Sequence, residues 1–186
     1  MAHIIPPVSD IQEVEPRIVP RSDHPISRKH ISRNATKVLY RLHHAGYRAY
    51  MVGGSVRDLM LGREPKDFDV ATDARPNEIR RLFSNSRIIG RRFRLVHVYF
   101  HEGDTVEVST FRRNPEPDEQ SVPPGELLIT SDNTYGTPLE DAFRRDFTIN
   151  ALFYNIGDYS VIDYVEGILD LSMKNLGQFI GEPTVR

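Results

Sequence analysis

The sequence contains no cysteine in its 186 residues, which excludes disulfide bonds and thiolate metal sites. It contains no apolar run near the roughly 18 residues that a membrane-spanning helix requires. Residues 1–10 lack the basic start and the apolar stretch of a secretory signal peptide. These absences favour a soluble protein of the cytosol, so we expect a cytoplasmic location and no membrane span.

Several catalytic motifs are missing as well. The sequence has no Walker A loop, no G-x-S-x-G nucleophile motif and no H-E-x-x-H zinc motif. Its seven histidines show no spacing that is typical of metal ligands. The sequence therefore gives no support for a kinase, a P-loop NTPase, a serine hydrolase or a zinc protease.

Charge is distributed unevenly along the chain. Residues 1–100 hold 18 Lys or Arg and 10 Asp or Glu, whereas residues 101–186 hold 6 and 16 respectively. A basic half suits a polyanionic partner, and an acidic half supplies carboxylates for cations. An ordinary solvated surface accounts for the same imbalance, so the charge pattern has to be weighed together with the motifs.

Proline content and apolar periodicity divide the chain into two parts. Residues 1–26 contain five prolines and no sustained period, which predicts an extended, disordered leader. From residue 27 onward, helical and strand periods alternate, as is typical of a mixed α/β domain. We expect about five strands in a mixed or largely antiparallel sheet flanked by helices. The predicted helices are 31–42, 56–61, 76–83, 139–144 and 148–152, the predicted strands are 48–52, 68–71, 93–100, 106–111, 153–156 and 161–164, and 113–137 is a predicted long loop.

An Asp-x-Asp pair in the second predicted strand is the strongest candidate metal site. Side chains alternate along a strand, so Asp67 and Asp69 point to one face and Phe68 and Val70 to the other. Two adjacent carboxylates repel each other unless a cation lies between them, and Mg²⁺ prefers carboxylate oxygens. Such a site can hold two metal ions that clamp the attacking and leaving oxygens of a phosphoryl group. By itself the pattern also suits a solvated strand face or a turn.

A glycine turn precedes this pair. Gly53 and Gly54 follow a predicted strand and open a predicted helix, where exposed backbone N–H groups favour an anion. Arg57 lies one turn into that helix and can add a forked donor for a phosphate. A plain tight turn, with Arg57 paired to Asp58, is the simpler alternative.

Two later segments supply further charged candidates. Glu107 is the single acid in the strand VEVS (106–109) and is a candidate third carboxylate; alternatively, it faces solvent. Arg144, Arg145 and Asp146 begin the segment RRDFTIN (144–150). The arginines suit triphosphate and sugar contacts, and Asp146 can orient an arginine or reach the metal. A helix-surface ion pair, worth little energetically, is the alternative.

Four arginines also crowd one segment of eight residues. They are Arg87, Arg91, Arg92 and Arg94, and in a strand Arg92 and Arg94 share a face. We treat Arg91, Arg92 and Arg94 as candidate contacts for RNA phosphates. A solvated strand edge explains them equally well.

Taken in order, four of these segments resemble the head domain of class II nucleotidyltransferases. The segments are YMVGGSVRDLMLG (50–62), KDFDVAT (66–72), VEVSTFR (106–112) and EDAFRRDFTINALFYN (140–155). That family includes bacterial poly(A) polymerases and CCA-adding enzymes and belongs to the polymerase-β-like superfamily. The resemblance implies a polymerase-β-like catalytic head over 27–186 and an enzyme that transfers nucleotides onto RNA 3′ ends.

The resemblance also implies roles, residue by residue. Asp67 and Asp69 are the implied metal ligands, and Asp146 is counted with them among the catalytic acids. Glu107 is an implied third ligand, at a position where family members vary. The implied cofactor is Mg²⁺ or Mn²⁺, and the implied substrate is ATP. The implied contacts for the incoming nucleotide are Gly53, Gly54, Arg57 and Arg145.

Within the family, residues 26–50 and 87–100 resemble poly(A) polymerases more than CCA-adding enzymes. The expected activity is therefore addition of AMP from ATP to RNA 3′ ends, which is RNA polyadenylation. The alternatives are CCA addition to tRNA, a non-catalytic RNA-binding module on the same fold, and transfer to a protein or small molecule. In the family a helical neck follows the head and selects the base, so we expect this chain to be a head without neck, body and tail.

Overall fold

An eight-stranded mixed sheet forms the centre of the fold in the computed structural model, which describes residues 14–90, 93–114 and 134–175. The strands are β1 Arg17–Val19, β2 Ala49–Val52, β3 Asp69–Thr72, β4 Ser86–Ile89, β5 Leu95–Tyr99, β6 Thr105–Thr110, β7 Leu152–Asn155 and β8 Val161–Asp163. The helices are α1 Arg33–His44, α2 Gly54–Met60, α3 Pro76–Leu82, α4 Pro138–Phe143 and α5 Gly167–Asn175. Short 3₁₀ turns lie at Arg21–Asp23, Arg28–His30, His101–Gly103 and Thr148–Asn150.

The order of the strands across the sheet is β1-β8-β7-β2-β3-β6-β5-β4. All neighbouring strands are antiparallel except β3 and β6, which are parallel. Parallel neighbours require a crossover connection, and here the chain between β3 and β6 runs through α3, β4 and β5. In that parallel pair Asp69 lies opposite Glu107. The topology therefore brings together two acids that are 38 positions apart in the sequence.

The two faces of the sheet bury different sets of side chains. On one face, Val70 and Val108 belong to the main core, which α1 covers with Ala35, Val38, Leu39 and Leu42. On the other face, Ala71 and Phe153 pack with residues of α4 in a smaller core. Because side chains alternate along β3, Asp69 lies on the same face as Ala71, opposite to α1.

Helix α1 has clear start and stop signals. The side chain of Ser32 accepts hydrogen bonds from the N–H groups of Asn34 and Ala35, which caps the N-terminus. Gly46 follows the C-terminus with a φ of 88°, a left-handed conformation that glycine adopts without strain. No helix in the described ranges has both the length and the apolar character needed to cross a membrane.

The mixed sheet with flanking helices is confirmed, but it contains eight strands and not about five. Six of the eight match the predicted strand segments, and the two that were not predicted are the outer strands β1 and β4, both short and paired on one side only. β1 lies within the leader that the prolines had suggested to be disordered, and the nearby side chains of His24 and Ile26 are buried. Pairing with β8 supplies the backbone hydrogen bonds that the local sequence could not predict. Residues 1–13 lie outside the described part of the chain.

Several element boundaries also differ from the predicted ones. β3 begins at Asp69, so Asp67 precedes the strand, and β5 begins at Leu95, so Arg94 precedes it. The predicted helix at 148–152 is a single 3₁₀ turn, because β7 already starts at Leu152. Most of the predicted loop at 113–137 lies outside the described ranges, although Arg112 forms a bridge with Tyr135.

Candidate active site

A cleft of about 420 Å³ opens on the α4 side of the sheet. Its floor comes from β3 and β6, and one wall comes from the segment that joins α4 to β7. The residues that line it include five of the charged candidates from the sequence. These are Asp69, Glu107, Arg144, Arg145 and Asp146, together with Ser109, Arg112, Asp141 and Asn150.

Asp69 and Glu107 are the acidic pair on the floor of this cleft. They are register partners in parallel strands, so their side chains leave the sheet on the same face. The carboxylate of Glu107 also lies 3.2 Å from the Nε2 atom of His97 on β5. Burial by the surrounding protein and the charge of Glu107 raise the pKa of Asp69, an effect that Arg145 opposes and Asp67 strengthens. A cation between the two carboxylates relieves this repulsion.

Asp67 lies beside the cleft but outside its lining. Its side chain is exposed, while Phe68 between the two aspartates packs against the main core. In the described ranges, no three acidic or histidine side chains surround a common point that could hold a metal ion. Mg²⁺ usually binds to only one or two carboxylates and completes its shell with waters and substrate phosphates. The oxygen donors of Asp69 and Glu107 therefore fit such an ion, with Asp67 as a nearby third carboxylate.

The glycine turn at the start of α2 lies beside the cleft and outside its lining. Gly53 has a φ of 75°, which residues with a side chain rarely adopt. A Cβ atom at Gly53 would lie 3.6 Å from Oδ2 of Asp69 and 3.8 Å from Nη1 of Arg145. The backbone of the turn therefore closely approaches both the acidic floor and the basic wall. The hydroxyl of Ser55 donates to the carbonyl of Val52 and fixes the turn at a distance of 2.9 Å.

Arg57 has two partners. Its Nε atom donates to the carboxylate of Asp58 at 2.8 Å, which is the local ion pair that the sequence offered as an alternative. Its Nη1 atom donates to the side-chain oxygen of Asn150 at 2.9 Å. The second bond connects the guanidinium to Asn150, which lines the cleft, whereas Arg57 itself lies beside the lining.

Arg145 is held by a buried carboxylate. Its Nε and Nη2 atoms donate to Oδ2 of Asp141 at 3.1 and 2.8 Å, and its Nη1 atom donates to the carbonyl of Asn150 at 3.3 Å. The guanidinium also lies 5.6 Å from the centre of the Phe153 ring. Contacts on several sides hold the side chain in one orientation. Asp146 is exposed at the rim of the cleft.

Three residues with structural roles in the cleft had no assigned role from the sequence. Asp141 anchors Arg145 and also accepts a hydrogen bond from the backbone N–H of Arg112 at 3.1 Å. Its spacing of four residues from Arg145 on a helix was a usable signal. Asn150 and Arg112 gave no comparable signal, because their partners lie far away in the sequence.

The arginine-rich segment is only partly described. Arg91 and Arg92 lie outside the described residues. Arg94 is exposed, precedes β5, and accepts a hydrogen bond at its carbonyl from Nη2 of Arg112 at 3.3 Å. Arg94 therefore does not lie in β5, and the strand face that it was predicted to share with Arg92 falls outside the described residues.

The chain is similar to known proteins in both sequence and structure. A sequence model of the poly A polymerase head domain matches residues 49–177. The chain is 51% identical over 173 residues to poly(A) polymerase I of Salmonella typhi, a match that covers 91% of this chain and 37% of that protein. It is 40% identical over 153 residues to a CCA-adding enzyme of Bacillus pumilus, which covers 82% of this chain and 36% of that protein. The chain thus spans little more than a third of these relatives.

Among solved structures, the Bacillus stearothermophilus CCA-adding enzyme in complex with CTP superposes with a TM-score of 0.59. The superposition covers 74% of this chain and 31% of that chain, at 34% sequence identity. The structural likeness therefore agrees with the sequence match on the fold and on the family.

Proposed function

Because the chain belongs to the family of the poly A polymerase head domain, we propose that it is the catalytic head of a template-independent RNA 3′-end nucleotidyltransferase. The expected reaction adds AMP from ATP to an RNA 3′ end. The observation that carries this proposal is the cleft in which the acidic pair, Asp69 and Glu107, faces Arg145 beside the turn at Gly53. Phosphoryl transfer depends on this combination of carboxylates for a cation and fixed cations for phosphates.

In the proposed reaction, the RNA 3′-hydroxyl attacks the α-phosphorus of ATP. A new phosphodiester bond forms, the bond between the α-phosphorus and the bridging oxygen breaks, pyrophosphate leaves, and the proton of the 3′-hydroxyl is released to solvent. When bound, a divalent cation supplies positive charge to the reacting oxygens. Asp67, Asp69 and Glu107 provide its oxygen ligands, and we propose Mg²⁺ or Mn²⁺ because such hard ions prefer carboxylates.

The basic side chains of the cleft bind the triphosphate. Arg57 and Arg145 each keep a fixed orientation through Asn150, so they meet the phosphates without rearranging. The backbone of Gly53 and Gly54 allows the phosphates to approach closely, since no Cβ atom occupies that space. Asp146, at the rim of the cleft, is the proposed third catalytic acid. Catalysis thus rests mainly on positioning and charge stabilisation.

Polyadenylation is favoured over CCA addition by the higher identity to poly(A) polymerase I, which extends over more of the chain. CCA addition to tRNA is the second candidate, supported by the CCA-adding relatives. We further propose RNA 3′ ends as the partner and the cytoplasm as the place of action.

A transfer assay with the intact protein distinguishes the candidates. Each of the four NTPs is supplied separately, with an unstructured RNA and with a tRNA that lacks its CCA end. We expect long AMP tracts on the unstructured RNA. Addition of CMP and then AMP to the tRNA alone would assign the protein to CCA addition. Absence of any transfer, with RNA binding intact, would indicate a non-catalytic RNA-binding module. Transfer of the nucleotide to a protein or small molecule, and not to RNA, would show that the acceptor is of that class.

A further inference from the structure

A second pocket lies on the α1 side of the sheet, opposite to the catalytic cleft. It has a volume of about 460 Å³ and lies between the turn at Arg28–His30, helix α1 and the hairpin that joins β7 to β8. Three of its six lining residues are cations and three carry hydroxyl groups. They are Arg21, Ser27, Arg28, Lys29, Thr36 and Tyr159, and we call this site the α1 pocket.

Arg28 is the centre of the α1 pocket. Its Nη1 atom donates to the hydroxyl groups of Tyr40 and Tyr159, each at 3.2 Å, and the two hydroxyls lie 3.3 Å apart. The guanidinium carbon lies 4.8 Å from the centre of the Tyr159 ring. Both hydrogen bonds leave from one nitrogen, whereas a guanidinium carries five N–H donors. The hydrogen bonds to the two tyrosines fix the orientation of the Arg28 guanidinium. Its other N–H groups are therefore held in one direction and can donate to an oxyanion.

The position of Tyr159 is enforced by the hairpin. Tyr159 has a φ of 63°, a left-handed conformation that costs energy for a residue with a side chain. Its carbonyl oxygen lies 2.8 Å from Nε2 of the buried His24, and Asp158 accepts two hydrogen bonds from Ser160. The fold therefore holds the Tyr159 ring beside Arg28 in spite of the backbone strain.

The surface around the α1 pocket is basic over a long stretch of sequence. Residues 24–47 contain five Lys or Arg and no Asp or Glu. Arg33, Lys37 and Arg41 follow Lys29 at steps of four, and all four side chains are exposed. One carboxylate from outside this stretch contacts α1: Asp104 accepts a hydrogen bond of 2.6 Å from the side-chain amide of Asn34.

Aromatic rings accompany these charges. Tyr40 stacks on His44 along α1, with ring centres 5.9 Å apart and an interplanar angle of 18°. A basic surface with stacking rings is the combination that binds single-stranded nucleic acid, in which charges meet the backbone and rings meet the bases. A site for a free small anion would require the cations but not the rings.

We propose that Arg28 and Lys29 of the α1 pocket each bind a backbone phosphate of single-stranded RNA, and that Tyr40 and His44 provide a stacking surface beside them. The inference rests on the proposed function, because it takes the RNA substrate as the ligand. The pocket and the catalytic cleft lie on opposite faces of the sheet, so the strand must pass around the domain. The pocket therefore holds RNA upstream of the 3′ end and contributes only for RNAs long enough to reach both sites.

The test compares two double variants of the intact protein. Arg28→Gln with Lys29→Gln removes two charges from the pocket, and Arg17→Gln with Arg81→Gln removes two exposed charges elsewhere, on β1 and α3. RNA affinity is measured at several salt concentrations with an unstructured RNA longer than the roughly 4–16 nucleotides of a single-strand site. Each lost contact with a single strand flattens the plot of log affinity against log salt by about 0.7. We expect the pocket variant to flatten it by about 1.4 relative to wild type, and the control to change it much less. Equal slopes in the two variants would overturn the proposal.

Lys29→Gln alone is the safeguard against misfolding, since the hydrogen bonds to Tyr40 and Tyr159 come from Arg28. It should flatten the slope by about 0.7 with an unchanged thermal midpoint; no change would overturn the proposal. Inorganic phosphate is titrated at constant ionic strength as a second arm. Saturable, pocket-dependent phosphate binding with an unchanged RNA slope would make this a free-anion site and refute the assignment to RNA.

Transfer assays separate this proposal from the proposed function. The pocket variant should raise the KM for long RNAs several-fold, while the KM for short RNAs and kcat stay at wild-type values. An equal rise in KM for short and long RNAs would contradict the upstream position. If the wild-type protein transfers no nucleotide, the proposed function fails, and the salt-dependence comparison still decides whether the pocket binds RNA.

Discussion

The guanidinium of Arg57 donates a 2.9 Å hydrogen bond to the side-chain oxygen of Asn150, which lies 93 residues further along the chain. The backbone carbonyl of the same Asn150 accepts a hydrogen bond from Arg145. One uncharged residue thus holds both arginines that are expected to bind the triphosphate. Asn150 is therefore a positioning residue for the cleft.

We predict that Asn150→Ala raises the KM for ATP by about tenfold and changes kcat less. A hydrogen bond to a charged group contributes about 1.5–3 kcal/mol, and about 1.4 kcal/mol corresponds to tenfold in affinity. The measurement is steady-state kinetics with varied ATP. Asn34→Ala, which removes a surface contact with Asp104, is the matched control. An unchanged KM in Asn150→Ala would show that Arg57 keeps its orientation without this bond.

The two neighbouring aspartates, Asp67 and Asp69, give a second prediction. Asp69→Ala, and likewise Asp67→Ala, should lower turnover by about 10³ or more with the fold intact, because the cation that activates the 3′-oxygen loses a ligand. Asp73→Ala is the control. Asp73 follows directly after β3, and its ion pair with Arg48 is partly exposed, with 59% of the Arg48 and 30% of the Asp73 side chain open to solvent. Either test variant retaining more than about a tenth of wild-type turnover would refute its role as a metal ligand.

The acidic residues on the floor of the cleft were largely predictable from the sequence. The strand pairing and the hydrogen bonds that position the residues of the cleft were not. Strand alternation placed Asp69 opposite to Val70, as the structure has it, whereas Asp67, which was predicted to share the face of Asp69, precedes β3. The short strand around Glu107 was recognisable from its apolar neighbours. The parallel pairing that makes them neighbours depends on a crossover, which periodicity does not specify. The bond between Arg57 and Asn150 is non-local in the same way. β1 was not predicted, because three residues between two prolines are too few to show a strand period. They form a strand only because they pair with β8.

A third prediction concerns the arginine-rich segment. Charge reversal of Arg91, Arg92 and Arg94 to Glu should flatten the salt dependence of RNA binding, by roughly 0.7 for each lost phosphate contact with a single strand. The measurement is fluorescence anisotropy at several salt concentrations. An unchanged slope, with a lower thermal midpoint, would assign these arginines to the stability of the fold.

A fourth prediction concerns base selection. Arg57, Arg145 and Asp69 address phosphate or metal, which ATP, CTP, GTP and UTP share. We therefore expect the 186-residue chain, prepared alone, to bind all four with similar affinity in the presence of Mg²⁺. Calorimetry measures the four affinities. A preference for ATP of about tenfold, or roughly 1.4 kcal/mol, would show that groups within this chain select the base.

A fifth prediction concerns alkaline stability. Burial raises the pKa of Tyr154 to about 12, and its hydroxyl has no hydrogen-bond partner among the described residues. An unfolded tyrosine ionises near pH 10, so above that pH ionisation favours the unfolded state. The contribution of Tyr154 is thus fully present below about pH 10 and is lost as the pH rises towards 12.

The free energy of unfolding of the wild type should therefore fall more steeply between about pH 10 and 12 than that of Tyr154→Phe. Burial also raises the pKa of Tyr50 and Tyr164, which leaves a residual slope in the variant. At neutral pH, Tyr154→Phe should be neutral or slightly stabilising, because it removes an unpaired buried hydroxyl. Urea unfolding at stepped pH measures both effects, with Tyr99→Phe at an exposed position as the control. Parallel slopes in wild type and Tyr154→Phe would contradict the assignment.

The short strand β1 also bears on whether two molecules can pair edge to edge. β1 covers the outer edge of β8, which carries the apolar residues Val161 and Ile162. β1 is itself only three residues long and is bounded by Pro16 and Pro20, which lack the N–H donors that a docking strand needs. A shortened chain beginning at Ser27 would leave the backbone of β8 open to strands of other molecules. Such a chain would then be prone to aggregate through this edge even with its catalytic cleft intact.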